Sequence, residues 1–254
     1  MDPYQQYQND YSAYLARLKD HFHFSLTMMM LWVVVLGGVF LAQDHWFSTQ
    51  AFAIRPLQPE GLIGILTAPL LHGSLGHLAS NAFAFLIIGT LAGALYPRAA
   101  LRAWPIIWLG SGLGTWYISL GGQHIGASGL TVGLMFFLFG QGLRRRDRIS
   151  LGALMLAMFF FGGMLLSFLP QEQGVSWEYH LSGAAFGLLT GLALAGLDEH
   201  APKRLYSWDL EPEAVDPVVD SELEAPIPPD IPVIWHRPEH RHQNTVIPFK
   251  RNEP

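Results

Sequence analysis

Residues 103–143 read AWPIIWLGSGLGTWYISLGGQHIGASGLTVGLMFFLFGQGL, a run of 41 residues without a single Asp, Glu, Lys or Arg. A helix that crosses a bilayer needs about 20 mostly apolar residues, so this run is long enough for two such helices. Its centre, GGQHIG at 121–126, is polar and rich in glycine, which is typical of a turn. The run therefore predicts a helical hairpin within a membrane.

The rest of the chain extends this pattern. Of the 35 charged residues, 18 lie in the last 57 positions, and four further stretches carry no charge: 21–43, 61–97, 149–171 and 179–197. This distribution excludes a soluble single domain. We predict an all-α membrane protein, a six-transmembrane-helix bundle with spans at about 24–43, 75–96, 104–121, 127–143, 151–168 and 178–197.

Composition divides the chain into three regions. Residues 1–23 are predicted to be a cytoplasmic N-terminal segment and residues 24–197 the six-helix membrane domain. The first apolar run is about 20 residues long, beyond the ~7–15 of a cleaved signal. Residues 198–254 hold ten of the 17 prolines and 12 of the 20 acidic residues. Such a tail cannot bury enough apolar surface to offset its chain entropy, so we predict disorder, and we interpret its His-rich run at 236–242 as solvated.

Orientation follows from the basic residues beside the predicted spans. Ten Lys and Arg residues fall on one side, and only Arg55, in the long loop 44–74, falls on the other. Basic loops stay in the cytoplasm, so both termini are predicted to be cytoplasmic. We expect an integral protein of a bacterial inner membrane. The chain shows no basic patch that suggests nucleic acid, and without cysteine it has no disulfide or thiol chemistry.

A few polar side chains interrupt the apolar stretches, and ionisable groups at membrane depth mark function by default. His77 and Asn81 are four residues apart, so they share one face of the second span. Ser128 stands where a loop enters the fourth span, beside helix N–H groups that have no internal partner. His180 opens the sixth span. With the termini inside, all four lie near the outer ends of their helices.

Taken singly, a serine or a histidine in a membrane helix is more often a packing residue, and we leave Gln141 and His124 with that interpretation. The convergence of three segments at one depth is what favours a site. Glycines at 183, 187 and 191 in the sixth span, and at 129 and 133 in the fourth, would let the two helices pack closely. Ser128 and His180 would then come within hydrogen-bond reach.

These residues resemble the rhomboid intramembrane serine proteases over about residues 60–197. The resemblance rests on HGSLGHLASN at 72–81, GASG at 126–129 and HLSGAAFG at 180–187. It implies a serine endopeptidase with Ser128 as nucleophile and His180 as general base. It also implies that His77 and Asn81 bind the oxyanion and that His72 braces the first loop. The supporting glycines would be Gly126, Gly129, Gly183 and Gly187.

The same resemblance sets expectations for substrates. The substrate would be another transmembrane protein, cleaved near the outer membrane face, with the lipid bilayer as the other partner. Because the spans contain no Asp or Glu, we expect a Ser–His dyad rather than a triad. The sequence implies no cofactor and no metal. A zinc site on His72, His77 and His180 lacks the i, i+4 spacing of a helical metal pair and any carboxylate or thiolate to complete it.

The chain departs from the family pattern at two places, and the first of these, Val132, leaves an alternative open. Many rhomboids have an aromatic residue four positions after the serine, where this chain has Val132, and a Trp-Arg pair in the first loop, where it has Ile54-Arg55. The alternative is a catalytically inactive rhomboid-like protein that binds membrane helices. A transporter is less favoured, because no carboxylate within the membrane supports proton coupling and transport leaves the GASG element unexplained.

Overall fold

The computed structural model describes residues 3–168 and 176–206, and within these residues the chain is helical and has no β-strand. A helix lies in each of the six predicted stretches, which confirms the helical class. In chain order the helices are α1 Pro3–Ala42, α2 Leu75–Leu95, α3 Pro97–Ile118, α4 Ser128–Arg145, α5 Arg148–Phe161 and α6 Trp177–Ala193. A 3₁₀ segment, Gly162–Phe168, continues α5.

Three helical stretches of the described residues are long and apolar enough to cross a bilayer: α1, α2 and Arg148–Leu165. They establish an integral membrane protein, whereas the count of six spans stays a prediction. Helix α1 begins at Pro3, well before the expected start at residue 24. A proline suits the first turn of a helix, and residues 4–23 contain no glycine or further proline that would interrupt one. This polar segment can therefore continue the helix of the apolar run that follows it.

Helix α2 is interrupted by a π-helical segment, Phe85–Gly89, between the α-helical Leu75–Ala84 and Thr90–Leu95. Small residues let α1 pack against it. A Cβ added at Gly89 would lie 2.3 Å from Sδ of Met29, and one added at Gly93 would lie 2.5 Å from Oγ of Ser25. Such close approach is typical of helix pairs in membranes.

Helices α4 and α6 pack against each other through their glycines. A Cβ at Gly183 would lie 2.0 Å from the carbonyl oxygen of Gly129, and a Cβ at Gly187 would lie 2.0 Å from that of Gly133. Any larger side chain would have to displace a backbone, which cannot yield as a side chain can. The contact therefore sets the position of Ser128, at the start of α4, relative to His180, in the first turn of α6.

The segment between α1 and α2 folds into short helical pieces: Thr49–Phe52, Pro59–Ile63, Gly64–Thr67 and Ala68–Leu70. It also holds the loop between α3 and α4. The N–H and C=O of Ile54 pair with those of His124, with both N···O distances 3.0 Å, and the N–H of Gly126 donates to the carbonyl of Ala68 at 2.8 Å. These bonds hold the backbone that leads into Ser128.

At the other end of the bundle, the residues after α6 fold back onto the helices. The carboxylate of Asp198 accepts the backbone N–H groups of Arg98 (3.0 Å) and Ala99 (2.9 Å), and so caps the first turn of α3. Arg145 donates to the carbonyls of Ala195 and Asp198, both at 2.9 Å. Asp198 is therefore packed against the bundle, although the tail was expected to begin there. Residues 207–254, with the predicted disorder and the His-rich run, lie outside the described residues.

Candidate active site

One cavity of about 970 Å³ is lined by all four residues that the sequence singled out: His77, Asn81, Ser128 and His180. They come from the starts of α2, α4 and α6. Three segments far apart in the chain thus place their polar groups around a single space. The rest of the wall mixes polar side chains, among them serines, His124 and Glu178, with aromatic and aliphatic ones.

Ser128 is half-buried and is the first residue of α4. The first N–H groups of a helix have no acceptor within it, so the backbone here carries donors beside the Ser128 hydroxyl. The chain reaches this position through Gly126, whose φ of +105° lies in the region that favours glycine.

His77 and Asn81 lie directly against that glycine. A Cβ on Gly126 would lie 2.5 Å from Nε2 of His77, so the imidazole occupies the space that a larger residue would need, and it would lie in ordinary contact with Nδ2 of Asn81, at 3.6 Å. The Asn81 Nδ2 atom is buried and has no hydrogen-bond partner among the described residues. A buried donor without a partner is costly, so this amide is available to bond a group that enters the cavity.

His180 is buried, and its Nδ1 lies 3.4 Å from the carbonyl oxygen of Ser167, in the 3₁₀ segment after α5. A carbonyl only accepts, so this contact places the proton on Nδ1 and leaves Nε2 as a base. Between the side chains of Ser128 and His180, both of which are described, the structure has no direct hydrogen bond. Glu178 lines the same cavity, but its carboxylate accepts from Ser119 at 3.0 Å.

His72 lies in the loop before α2 and is fully buried. Its backbone N–H donates to Oε1 of Gln43 at 3.2 Å, and its carbonyl accepts from Nε2 of the same amide. Its ring centroid is 5.1 Å from that of His77. Gln43 thus ties the end of α1 to the site. In the sequence, the only signal for this residue is a polar side chain that closes an apolar run.

Val132 is fully buried, one turn after Ser128. An aromatic ring does reach the start of α4, but from the other helix. A Cβ on Gly129 would lie 2.6 Å from Cδ2 of Tyr179, so the ring of Tyr179 packs directly against that glycine. Among the described residues, no group of three or more His, Cys, Asp and Glu side chains is placed to hold a metal ion.

The fold and cavity define a helical membrane protein with a serine, two histidines and an asparagine gathered at the starts of three helices. The family model of the rhomboid domain matches residues 59–196, more than half of the chain and all of the site. The protein therefore belongs to the rhomboid family, which is in general a family of intramembrane serine proteases.

Similar proteins occur in mycobacteria. The chain is 40% identical over 159 residues to uncharacterized protein Rv1337 of Mycobacterium tuberculosis and, equally, to uncharacterized protein Mb1372 of Mycobacterium bovis. It is 35% identical over 161 residues to uncharacterized protein ML1171 of Mycobacterium leprae. These matches cover 58%, 58% and 59% of this chain, and 65%, 65% and 61% of the relatives. The matched part is thus slightly less than two thirds of each relative.

Proposed function

We propose that this protein is an intramembrane serine endopeptidase that hydrolyses peptide bonds of transmembrane proteins through a Ser128–His180 dyad. The observation that carries the proposal is the shared cavity, where a serine, a histidine base and two further donors meet from three separate segments. The convergence of a nucleophile, a base and oxyanion donors on one cavity supports a hydrolytic site.

The chemistry begins with the serine hydroxyl, which is a weak nucleophile until a base takes its proton. His180 is that base, since the contact with the Ser167 carbonyl leaves Nε2 unprotonated. As the Ser128 oxygen bonds to the scissile carbonyl carbon, its proton passes to Nε2. The same proton then goes to the leaving amine, and an acyl-enzyme remains. Water then attacks the acyl-enzyme while His180 takes one of its protons. His180 returns this proton to the Ser128 oxygen as the new carboxyl end leaves, and the serine is restored.

The negative charge of the tetrahedral intermediate needs donors placed in advance. The backbone N–H of Ser128 at the helix start, the Asn81 Nδ2 and the His77 ring supply them around Gly126. Such a site is complementary to the intermediate rather than to the planar carbonyl. The unpartnered amide of Asn81 supports this role, because a donor for a short-lived oxyanion has no partner before the substrate reacts.

The substrate is another membrane helix, and cleavage falls near the outer membrane face. Carbonyls within a helix are already hydrogen-bonded, so the scissile region has to unwind before Ser128 can reach it. We therefore expect small or helix-breaking residues near the outer end of the substrate helix. The expected setting is a bacterial inner membrane with both termini cytoplasmic. Cleavage in the cytoplasmic third of a substrate would contradict either the orientation or the site.

A serine-directed fluorophosphonate tests the proposal on the protein purified in detergent. Labelling should occur in the parent and be lost in Ser128→Ala and His180→Ala. Ser80→Ala should label as the parent does. Ser80 lines the same cavity, but its hydroxyl donates to the carbonyl of His77 in its own helix at 2.9 Å. Equal labelling of all four proteins would disprove the assignment of Ser128.

The alternative is an inactive rhomboid that binds membrane helices. Two observations favour it: Val132 occupies the usual aromatic position, and Ser128 and His180 lack a direct hydrogen bond. For this alternative the expected result is no labelling of a folded parent, together with capture of a membrane helix that survives the Ser128→Ala change.

A further inference from the structure

The loop between α3 and α4 contains one histidine, His124, and both of its ring nitrogens have hydrogen-bond partners. His124 is buried, its Nδ1 lies 2.6 Å from Oγ of Ser176, and its Nε2 lies 3.0 Å from Oγ of Ser119. Ser119 ends α3, and Ser176 is the N-cap of α6. One side chain therefore joins the loop that precedes Ser128 to the helix that carries His180.

The direction of these hydrogen bonds can be worked out from the partners. The Ser119 hydroxyl also contacts a Glu178 carboxylate oxygen and the Gly121 carbonyl, each at 3.0 Å, and both groups can only accept. The single proton of Ser119 is therefore directed away from His124, and Nε2 must donate to the Ser119 oxygen.

The other ring nitrogen then acts as an acceptor. In a neutral imidazole with the proton on Nε2, Nδ1 accepts from the Ser176 hydroxyl. The Ser176 oxygen in turn accepts the backbone N–H of Tyr179 at 3.3 Å, in the first turn of α6. The result is a directed chain from a helix N–H, through Ser176, His124 and Ser119, to an oxygen acceptor. Burial lowers the pKa of His124, which agrees with a neutral ring.

The ring and the backbone of His124 do different things. The backbone pairs with Ile54, so the loop is anchored whatever the side chain is. Only the ring reaches α6. On α6, Ser176 lies one turn before His180, and its carbonyl accepts the His180 N–H at 3.2 Å. A shift of Ser176 would therefore carry the base with it.

Building on the proposed function, we propose that His124 is a positioning residue: its two hydrogen bonds hold the N-terminus of α6, and with it His180, at the correct place relative to Ser128. The side chain of His180 needs such support. Among the described residues its ring has a single polar contact, at 3.4 Å, and Val132 offers no aromatic face beside it. A displacement of about 1 Å at a reacting group can cost on the order of 10²-fold in rate.

The test compares His124→Ala with His124→Gln, whose amide keeps one donor and one acceptor. For each protein, the rate of fluorophosphonate labelling is measured against probe concentration to separate the maximal rate from probe affinity. We expect His124→Ala to lower the maximal rate on the order of 10²-fold with little change in affinity. His124→Gln should recover most of it, and the control His23→Ala, on an exposed position of α1, should match the parent.

Hydrogen exchange of the peptide that covers Tyr179 and His180 gives a readout that does not depend on catalysis. Exchange should be faster in His124→Ala and return toward the parent value in His124→Gln. Unchanged exchange in His124→Ala overturns the proposal, as does an Ala variant that labels like the parent or a Gln variant no better than Ala. If the parent itself does not label, the proposed function fails, and the exchange result still decides the role of His124.

Discussion

At the scale of single residues, Asn81 provides the sharpest test of the oxyanion assignment. Its Nδ2 is buried, lies close to Gly126 and is free of protein partners among the described residues. Asn81→Ala should lower kcat by about 10²–10³-fold, because the donor acts on charge that develops only in the transition state. The measurement is cleavage of a transmembrane peptide, with Asn9→Ala on the exposed part of α1 as the matched control. A change confined to KM would assign Asn81 to substrate binding instead.

His72 predicts how stability depends on pH. Burial, and secondarily the nearby His77, lower the pKa of His72 from 6.5 to about 4. Below pH 6.5 the unfolded chain therefore binds a proton at His72, whereas the folded protein binds it only near pH 4. Above pH 6.5 His72 contributes no pH dependence to the free energy of unfolding. As the pH falls from 6.5 to 4, this free energy decreases by up to about 3 kcal/mol.

The measurement is thermal unfolding of the protein in detergent between pH 7.5 and 4.5. We expect Tm of the parent to fall over this range, and to fall less in His72→Asn, whose side chain does not titrate. His23→Asn, at an exposed position, should follow the parent. Parallel curves for the parent and His72→Asn would show that His72 does not carry the effect.

At the scale of elements, the glycine contact between α4 and α6 predicts that one added methyl group lowers both the stability of the protein and the reactivity of the site. Gly183→Ala would place a Cβ 2.0 Å from the Gly129 carbonyl oxygen, so the two helices have to separate. Overpacking of this kind costs about 1–3 kcal/mol. Because Ser128 and His180 lie on these two helices, labelling by the fluorophosphonate should fall along with Tm.

Gly152→Ala in α5 is the matched control for that change. A Cβ at Gly152 meets no atom within 4 Å, and alanine favours a helix over glycine by about 1 kcal/mol, so Tm should hold or rise. Equal effects of the two substitutions would mean that helix propensity, and not the α4–α6 contact, decides the outcome.

The elements also show why sequence patterns found some features and missed others. The charge-free stretches located the helices because exclusion of charge is a direct requirement of the bilayer. Two features have no comparable signal in the sequence. The extension of α1 to Pro3 consists mostly of polar residues, and the π segment Phe85–Gly89 consists of ordinary apolar residues. For a related reason, the sequence gives no sign that His124 does more than pack. A loop residue acquires its partners, Ser119 and Ser176, only when α3 and α6 meet.

At the scale of the whole molecule, two kinds of contact hold the site in place: close packing at glycines and hydrogen bonds from polar side chains. Glycine contacts join α4 to α6, where a shift of either backbone would move Ser128 relative to His180. Polar side chains reach between segments that do not touch so closely: Gln43 to His72, His124 to Ser176 and, at the opposite end, Asp198 to the start of α3. Such bonds are strong where water is scarce, and each of them closes a long loop of chain.

The same whole-molecule view predicts sidedness, which the absence of cysteine makes simple to measure. Residue 8, near the start of α1, and residue 120, in the loop after α3, are separated by α1, α2 and α3, so the six-span prediction places them on opposite sides. Both positions are exposed, and Leu120 fully so. In intact cells a membrane-impermeant maleimide should label Leu120→Cys and should label Gln8→Cys only after permeabilisation, because the basic residues predict that the start of α1 is cytoplasmic. The reverse pattern would place the dyad at the cytoplasmic face, and labelling of both in intact cells would mean that an even number of spans separates them.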